Sequence, residues 1–132
     1  MIKLFHTRRR GFTLIEIMIV VAIIALLMAA SFPAFVRARK RSQATLVLED
    51  LRTLDHALEQ YAIDANAPAD TPVVFADLQK YVNPGSTLHA TGADIFGNPY
   101  GPFQVSHFPD VPPDTFVALA DVVDSSFWAP YN

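Results

Sequence analysis

From Ile17 to Ala30 the chain reads IMIVVAIIALLMAA, fourteen residues without a polar side chain, and the apolar character continues past Ser31 and Pro33 to Val36. Counted from Phe12 to Val36 the stretch has 25 residues. At a rise of about 1.5 Å per residue that is roughly 37 Å of helix, enough to cross a hydrocarbon core of about 30 Å. Glu16 is its only charge. A helix apolar on every face belongs in a large protein core or in lipid, and about 95 further residues are too few to wrap it. The pattern predicts a membrane segment over 12–36.

The periodicity then changes. After the basic and polar run Arg37 to Gln43, the residues Ala44, Val47, Leu48, Leu51, Leu54, Leu58, Tyr61 and Ala62 recur every three or four positions, which predicts an amphipathic helix with Glu49, Arg52, Asp55 and Glu59 toward solvent. Between Phe12 and Ala65 there is no Gly, and Pro33 is the only Pro. The two segments therefore predict one helix of about 80 Å, kinked at Pro33 and ending near 64–67, where Asn66, Pro68, Asp70 and Pro72 supply breakers. Beyond residue 67 the chain holds nine of its ten prolines and four of its five glycines. Val74 to Val82 reads as a short helix closed by Asn83-Pro84-Gly85, while Pro102 to His107 and Asp114 to Val123 read as strands. Two or three antiparallel strands across the long helix would cover its apolar stripe, giving an α+β fold.

Charge sharpens the division of the chain. The 132 residues carry 10 Lys+Arg and 13 Asp+Glu. Lys3, Arg8, Arg9 and Arg10 stand without an acid in 1–11, whereas 61–132 has Lys80 against eight aspartates. An acidic body excludes nucleic-acid binding by counterion release. With no cysteine, disulfides, thiolate nucleophiles and Cys-ligated zinc are excluded. His6, His56, His89 and His107 have no ligand spacing, Gly92, Gly97 and Gly101 do not form a phosphate loop, and G-x-S-x-G is missing. No enzymatic activity is expected from the sequence.

The informative stretch is Arg8-Arg9-Arg10-Gly11-Phe12-Thr13-Leu14-Ile15-Glu16 followed at once by the apolar run. It resembles the class III signal of type IV pilins and type II secretion pseudopilins. That resemblance implies cleavage by a membrane-embedded prepilin peptidase between Gly11 and Phe12, N-methylation of Phe12, and a role for Glu16 as the intramembrane glutamate of the family. The mature chain would have 121 residues and a charge of −7. A carboxylate near the end of a membrane helix costs a few kcal/mol and calls for a partner. Cleavage would create one, because the new α-amino group of Phe12 lies one turn before Glu16, in its own chain or in a neighbour. Pairing with a neighbour would fix axial register. Thr13 and Glu16 also fit a T-x-x-E capping box, which needs no assembly.

A second stretch, DIFGNPYGPF at Asp94 to Phe103, resembles the D-x-W-G-N-P-Y element of major pseudopilins, with Phe96 in place of Trp. Gly97-Asn98-Pro99 is a turn, and Phe96 and Tyr100 are expected to anchor it on the core. Major pseudopilins usually carry a calcium loop. The nearby candidates here are Asp121, Asp124, Ser125 and Ser126, but they lack a Gly-rich or EF-hand pattern, so no metal ligand is assigned and no cofactor expected. Asp110 and Asp114 read as solvated loop acids, and Phe127, Trp128 and Tyr131 as a hydrophobic strap.

Together these readings give a type IV pilin-like α+β fold, with a long kinked helix, half membrane-spanning and half amphipathic, on a small C-terminal antiparallel sheet. The organisation is a cleaved basic leader at 1–11, a transmembrane or filament-core helix at 12–36, and a periplasmic or extracellular domain at 37–132. The resemblance implies a structural subunit of a type II secretion pseudopilus or type IV pilus-like filament. Its partners would be copies of itself and other pilin-like subunits, the prepilin peptidase, an inner-membrane assembly platform and membrane lipid. It implies a single pass of the inner membrane with the leader in the cytoplasm. The basic cluster Arg37 to Arg41 would lie at lipid head groups or face acids of neighbours such as Glu49 and Asp50. Two alternatives remain open: a secreted binding module or enzyme cleaved as an ordinary signal peptide near Ala30-Ser31, and a membrane-anchored adaptor that stays monomeric.

Overall fold

The computed structural model describes residues 11–132. The basic leader expected at 1–11 thus lies, except for Gly11, outside the described residues. The elements in chain order are α1 (Leu14–Ala65), β1 (Pro72–Val73), α2 (Phe75–Leu78) running into a 3-10 turn (Gln79–Tyr81), α3 (Thr87–Thr91), β2 (Phe103–Gln104), α4 (Pro113–Leu119) and a second 3-10 turn (Ser125–Trp128). The chain divides after Val36 into two units, taken in turn.

In the first unit α1 buries nothing: every residue from Gly11 to Val36 is exposed. Pro33 lies within the helix, where its missing N–H leaves the Ala29 carbonyl without its usual donor.

In the second unit the apolar stripe of α1 makes the core. Ala44, Val47, Leu51, Leu54 and Leu58 are buried, against Leu78, Leu88, Phe103, Leu119 and Trp128 from the rest of the body. The helix ends where the breakers predict. Asn66 takes a left-handed φ of 47°, its N–H donates to Ile63 O at 3.3 Å and that of Ala67 to Ala62 O at 3.1 Å, the double closure that satisfies the last carbonyls. Thr71 and Val105 extend the small sheet by one bond, Val105 N–H to Thr71 O at 3.0 Å; within it Pro72 pairs with Gln104 and Val73 with Phe103, antiparallel. The architecture is α+β.

Two strand expectations need correction. The segment 114–123 is not a strand but α4, followed by a turn in which both Val122 and Val123 donate to Leu119 O. Pro113 in the first turn has no N–H to leave orphaned, and Asp114 there complements the helix dipole. Thr115 and Leu119, four apart, are the buried face, so the run of β-formers is overridden by its proline start. The segment 102–107 forms a ladder only at Phe103–Gln104, because Ser106 turns the chain with φ 68° and His107 N–H folds back to Gln104 O. Its partner β1 and the helix α3 were not expected. α3 is set by Ser86, whose Oγ accepts from His89 N–H at 3.1 Å, and by Gly92 at φ 63°.

Candidate processing and assembly site

The residues singled out by the sequence sit together at the start of α1. Thr13 precedes the helix, its Oγ1 accepting from Glu16 N–H at 3.3 Å, while Glu16 Oε2 accepts from Thr13 N–H at 3.4 Å. This is a reciprocal capping box, satisfying two of the donors a helix start leaves open. Gly11 and Phe12 lie outside the helix. Nothing lies within 4 Å of the place a Cβ on Gly11 would occupy, so folding of the described residues makes no demand for glycine there. Phe12 is 78% exposed and Leu14 80%. Behind this end, α1 is the one helix among the described residues long and apolar enough to cross a membrane, with a mean hydropathy of 2.7 over its most apolar window.

The second motif folds as a polar knot. Asp94, buried, accepts from the N–H groups of Phe96 (2.8 Å) and Asn98 (2.9 Å) through one oxygen. Its other oxygen accepts from the Thr115 hydroxyl on α4, which in turn accepts from Asn98 Nδ2 at 2.8 Å. Tyr100 is buried and donates to Asp50 on α1 at 3.2 Å. Burial, with the neighbouring carboxylates of Asp50 and Asp94, pushes its phenol well above the usual tyrosine range. Phe96 is exposed and does not anchor the turn; the Thr115 hydroxyl, bonded to both Asp94 and Asn98, does. Its signal was faint, a single hydroxyl in an apolar run.

The acids near the C-terminus are engaged with their own chain. Asp121 accepts from Lys40 Nζ at 2.8 and 2.9 Å, which holds its carboxyl below the usual range. Asp124 caps the second 3-10 turn, accepting from Ser126 Oγ at 2.6 Å and Phe127 N–H at 3.1 Å, with the same effect. Of the basic cluster, Lys40 thus turns to its own body, while Arg37 and Arg41 line a shallow groove beside Asp121. Asp110 is a solvated loop acid, and Trp128 and Tyr131 are buried in the strap, as expected; Asp114 is solvated too but stands in the first turn of α4 rather than in a loop.

The prokaryotic N-terminal methylation motif matches residues 6–32. The chain is 47% identical over 58 residues to the type IV wide pilus major component PilA4 of Thermus thermophilus, covering 44% of each. Over 115 residues it is 30% identical to the type II secretion system core protein G of Pseudomonas aeruginosa, a match spanning 74% of this chain and 81% of that relative. The chain belongs to the family of type IV pilins and type II secretion pseudopilins. A second core protein G, from Aeromonas hydrophila, matches this pilin-family chain at 26% identity over 103 residues, 70% of this chain and 71% of that one. The chain spans less than half the length of the type IV pilins it matches, 44% for PilA4 and 30% for the major pilin PilA of Myxococcus xanthus. No solved structure matches it.

Proposed function

We propose that this chain is a structural subunit of a pseudopilus or pilus-like filament. The observation that carries the reading is the wholly exposed apolar part of α1 from Leu14 to Val36, headed by Gly11-Phe12-Thr13 and carrying Glu16 in its first turn. Such a surface needs lipid before assembly and other helices after it. A prepilin peptidase cuts between Gly11 and Phe12, and Phe12 becomes the methylated end. The open space at Gly11 supports this, since a glycine that folding does not require has its use elsewhere. Glu16, freed from Thr13, pairs with the new amine of a neighbour and sets register in the bundle, and Pro33 bends the helix between its two halves. The body lies outside the inner membrane, and the subunit binds copies of itself, other pilin-like subunits and an assembly platform, without catalysing a reaction. The longer matches to secretion core proteins and the Asp94 to Phe103 turn favour a secretion pseudopilus over a surface pilus.

Intact mass and N-terminal sequencing of the protein from host membranes test this reading. A methylated Phe12 start is expected; a start near Ser31, or an intact Met1, overturns it. Glu16→Ala is expected to be cleaved and inserted normally while filament yield falls, and normal filaments from that variant would remove the role given to Glu16.

A further inference from the structure

The acids near the C-terminus are met by a cation of the chain's own. Lys40 on α1 reaches the turn after α4, 81 residues on, where its Nζ donates to both carboxylate oxygens of Asp121, at 2.8 and 2.9 Å, and to the Ala118 carbonyl at 3.5 Å. An ammonium has three protons, and each finds an oxygen here. The Ala118 carbonyl lies in the last turn of α4, where helix carbonyls lack their usual donors and favour a positive charge. Asp124 is engaged as well, its Oδ1 accepting from Ser126 Oγ and from Phe127 N–H to close the second 3-10 turn. Arg37 and Arg41 line the groove beside Asp121, and Arg41 also acts on the Asp124 carboxylate. Three cations of α1 thus stand about two carboxylates.

The resemblance to major pseudopilins implies a calcium loop in this stretch, and the residues do not fit one. Calcium takes about six to eight oxygens, carboxylates prominent among them. Of the four candidates, Asp121 is held by Lys40, Asp124 and Ser126 bond each other, and the Ser125 carbonyl accepts from Asn132 Nδ2 at 3.1 Å. Among the described residues no three His, Asp or Glu side chains converge as a metal centre needs. A divalent ion would also have to enter against the charge of Arg37, Lys40 and Arg41. We propose that the Lys40 ammonium does the work of a structural calcium ion, fastening the C-terminal turn to the body part of α1, so that the body holds together without a divalent metal. A bound metal stabilises more as its concentration rises and is stripped by a chelator, whereas a cation carried on a side chain is neither diluted nor chelated. This role concerns the folded body alone and holds whether or not the chain forms filaments.

Thermal unfolding of the detergent-solubilised full chain tests it. The wild-type midpoint is expected to be the same in excess EDTA and in millimolar calcium chloride, with magnesium chloride as the control for screening. Lys40→Met keeps the stem and removes the charge; it is expected to lower the midpoint by a few degrees in all three media. Asp121→Asn is expected to lower it similarly and to add nothing to K40M, as befits two halves of one contact. A wild-type midpoint that rises by several degrees in calcium but not in magnesium overturns the proposal. So does a K40M midpoint equal to that of the wild type, or losses from K40M and D121N that simply add. None of these results bears on the filament reading, which the mature N-terminus and the Glu16 variant decide.

Discussion

The Thr115 hydroxyl carries two bonds that nothing else in the body can replace. It donates to buried Asp94 and accepts from Asn98, so Thr115→Val leaves a carboxylate oxygen and an amide short of a partner while keeping the side chain's shape. A loss of about 1–3 kcal/mol is expected in urea unfolding of the detergent-solubilised protein. Asp50 works in the other direction. Desolvation raises its carboxyl above 3.8, partly offset by the bond from Tyr100. A carboxyl raised in the folded state adds stability only while protonated, fully below 3.8, and that contribution is lost as pH rises through the folded value. Asp50→Asn keeps an acceptor for Tyr100 without the charge. Its thermal midpoint should exceed that of the wild type at neutral pH, and the difference should vanish in acid; a constant difference across pH would mean the charge is not the cause.

At the scale of elements, α1 was legible because its signals agree: the apolar period switches cleanly, glycine is missing for more than fifty residues, and the breakers cluster where Asn66 closes the last turn. α4 was not, because Thr-Phe-Val-Ala-Leu is ambiguous between periods, and the decision rests on Pro113 at its start and on which face meets the core. The two periods make opposite demands. In a strand Val117 and Leu119 point the same way, whereas here Leu119 is fully buried and Val117 is 74% exposed. Leu119→Ala should cost about 2–5 kcal/mol and Val117→Ala less than about 0.5 kcal/mol in the same unfolding assay; equal losses would restore the strand. α3 had signals that a closer reading could use, Ser86 and Gly92 bracketing one and a half turns. Gly92 is required twice over, by its φ of 63° and by Phe75 Cδ1, 2.8 Å from where a Cβ would stand. The two-residue strands lay below what alternation can show.

At the scale of the molecule, what could be read from the sequence was the part whose physics is one-dimensional: an apolar run, a cleavage-like dipeptide, a charge that changes sign along the chain. What could not be read was the meeting of distant residues, Thr115 with Asp94 and Lys40 with Asp121, since nothing in local spacing announces a contact 81 residues long. The same long reach bears on how the chain is made. The stripe Ala44 to Leu58 leaves the ribosome early, but Trp128 and Tyr131, which close its core, come last, with Val111 N–H held by Tyr131 O at 3.0 Å. Until then the body cannot finish folding, and an apolar helix face waits uncovered. The apolar segment 12–36, long enough to cross a bilayer, is made before any of that body, so a chain anchored by it would hold its bare stripe apart from other unfinished chains until Tyr131 arrives.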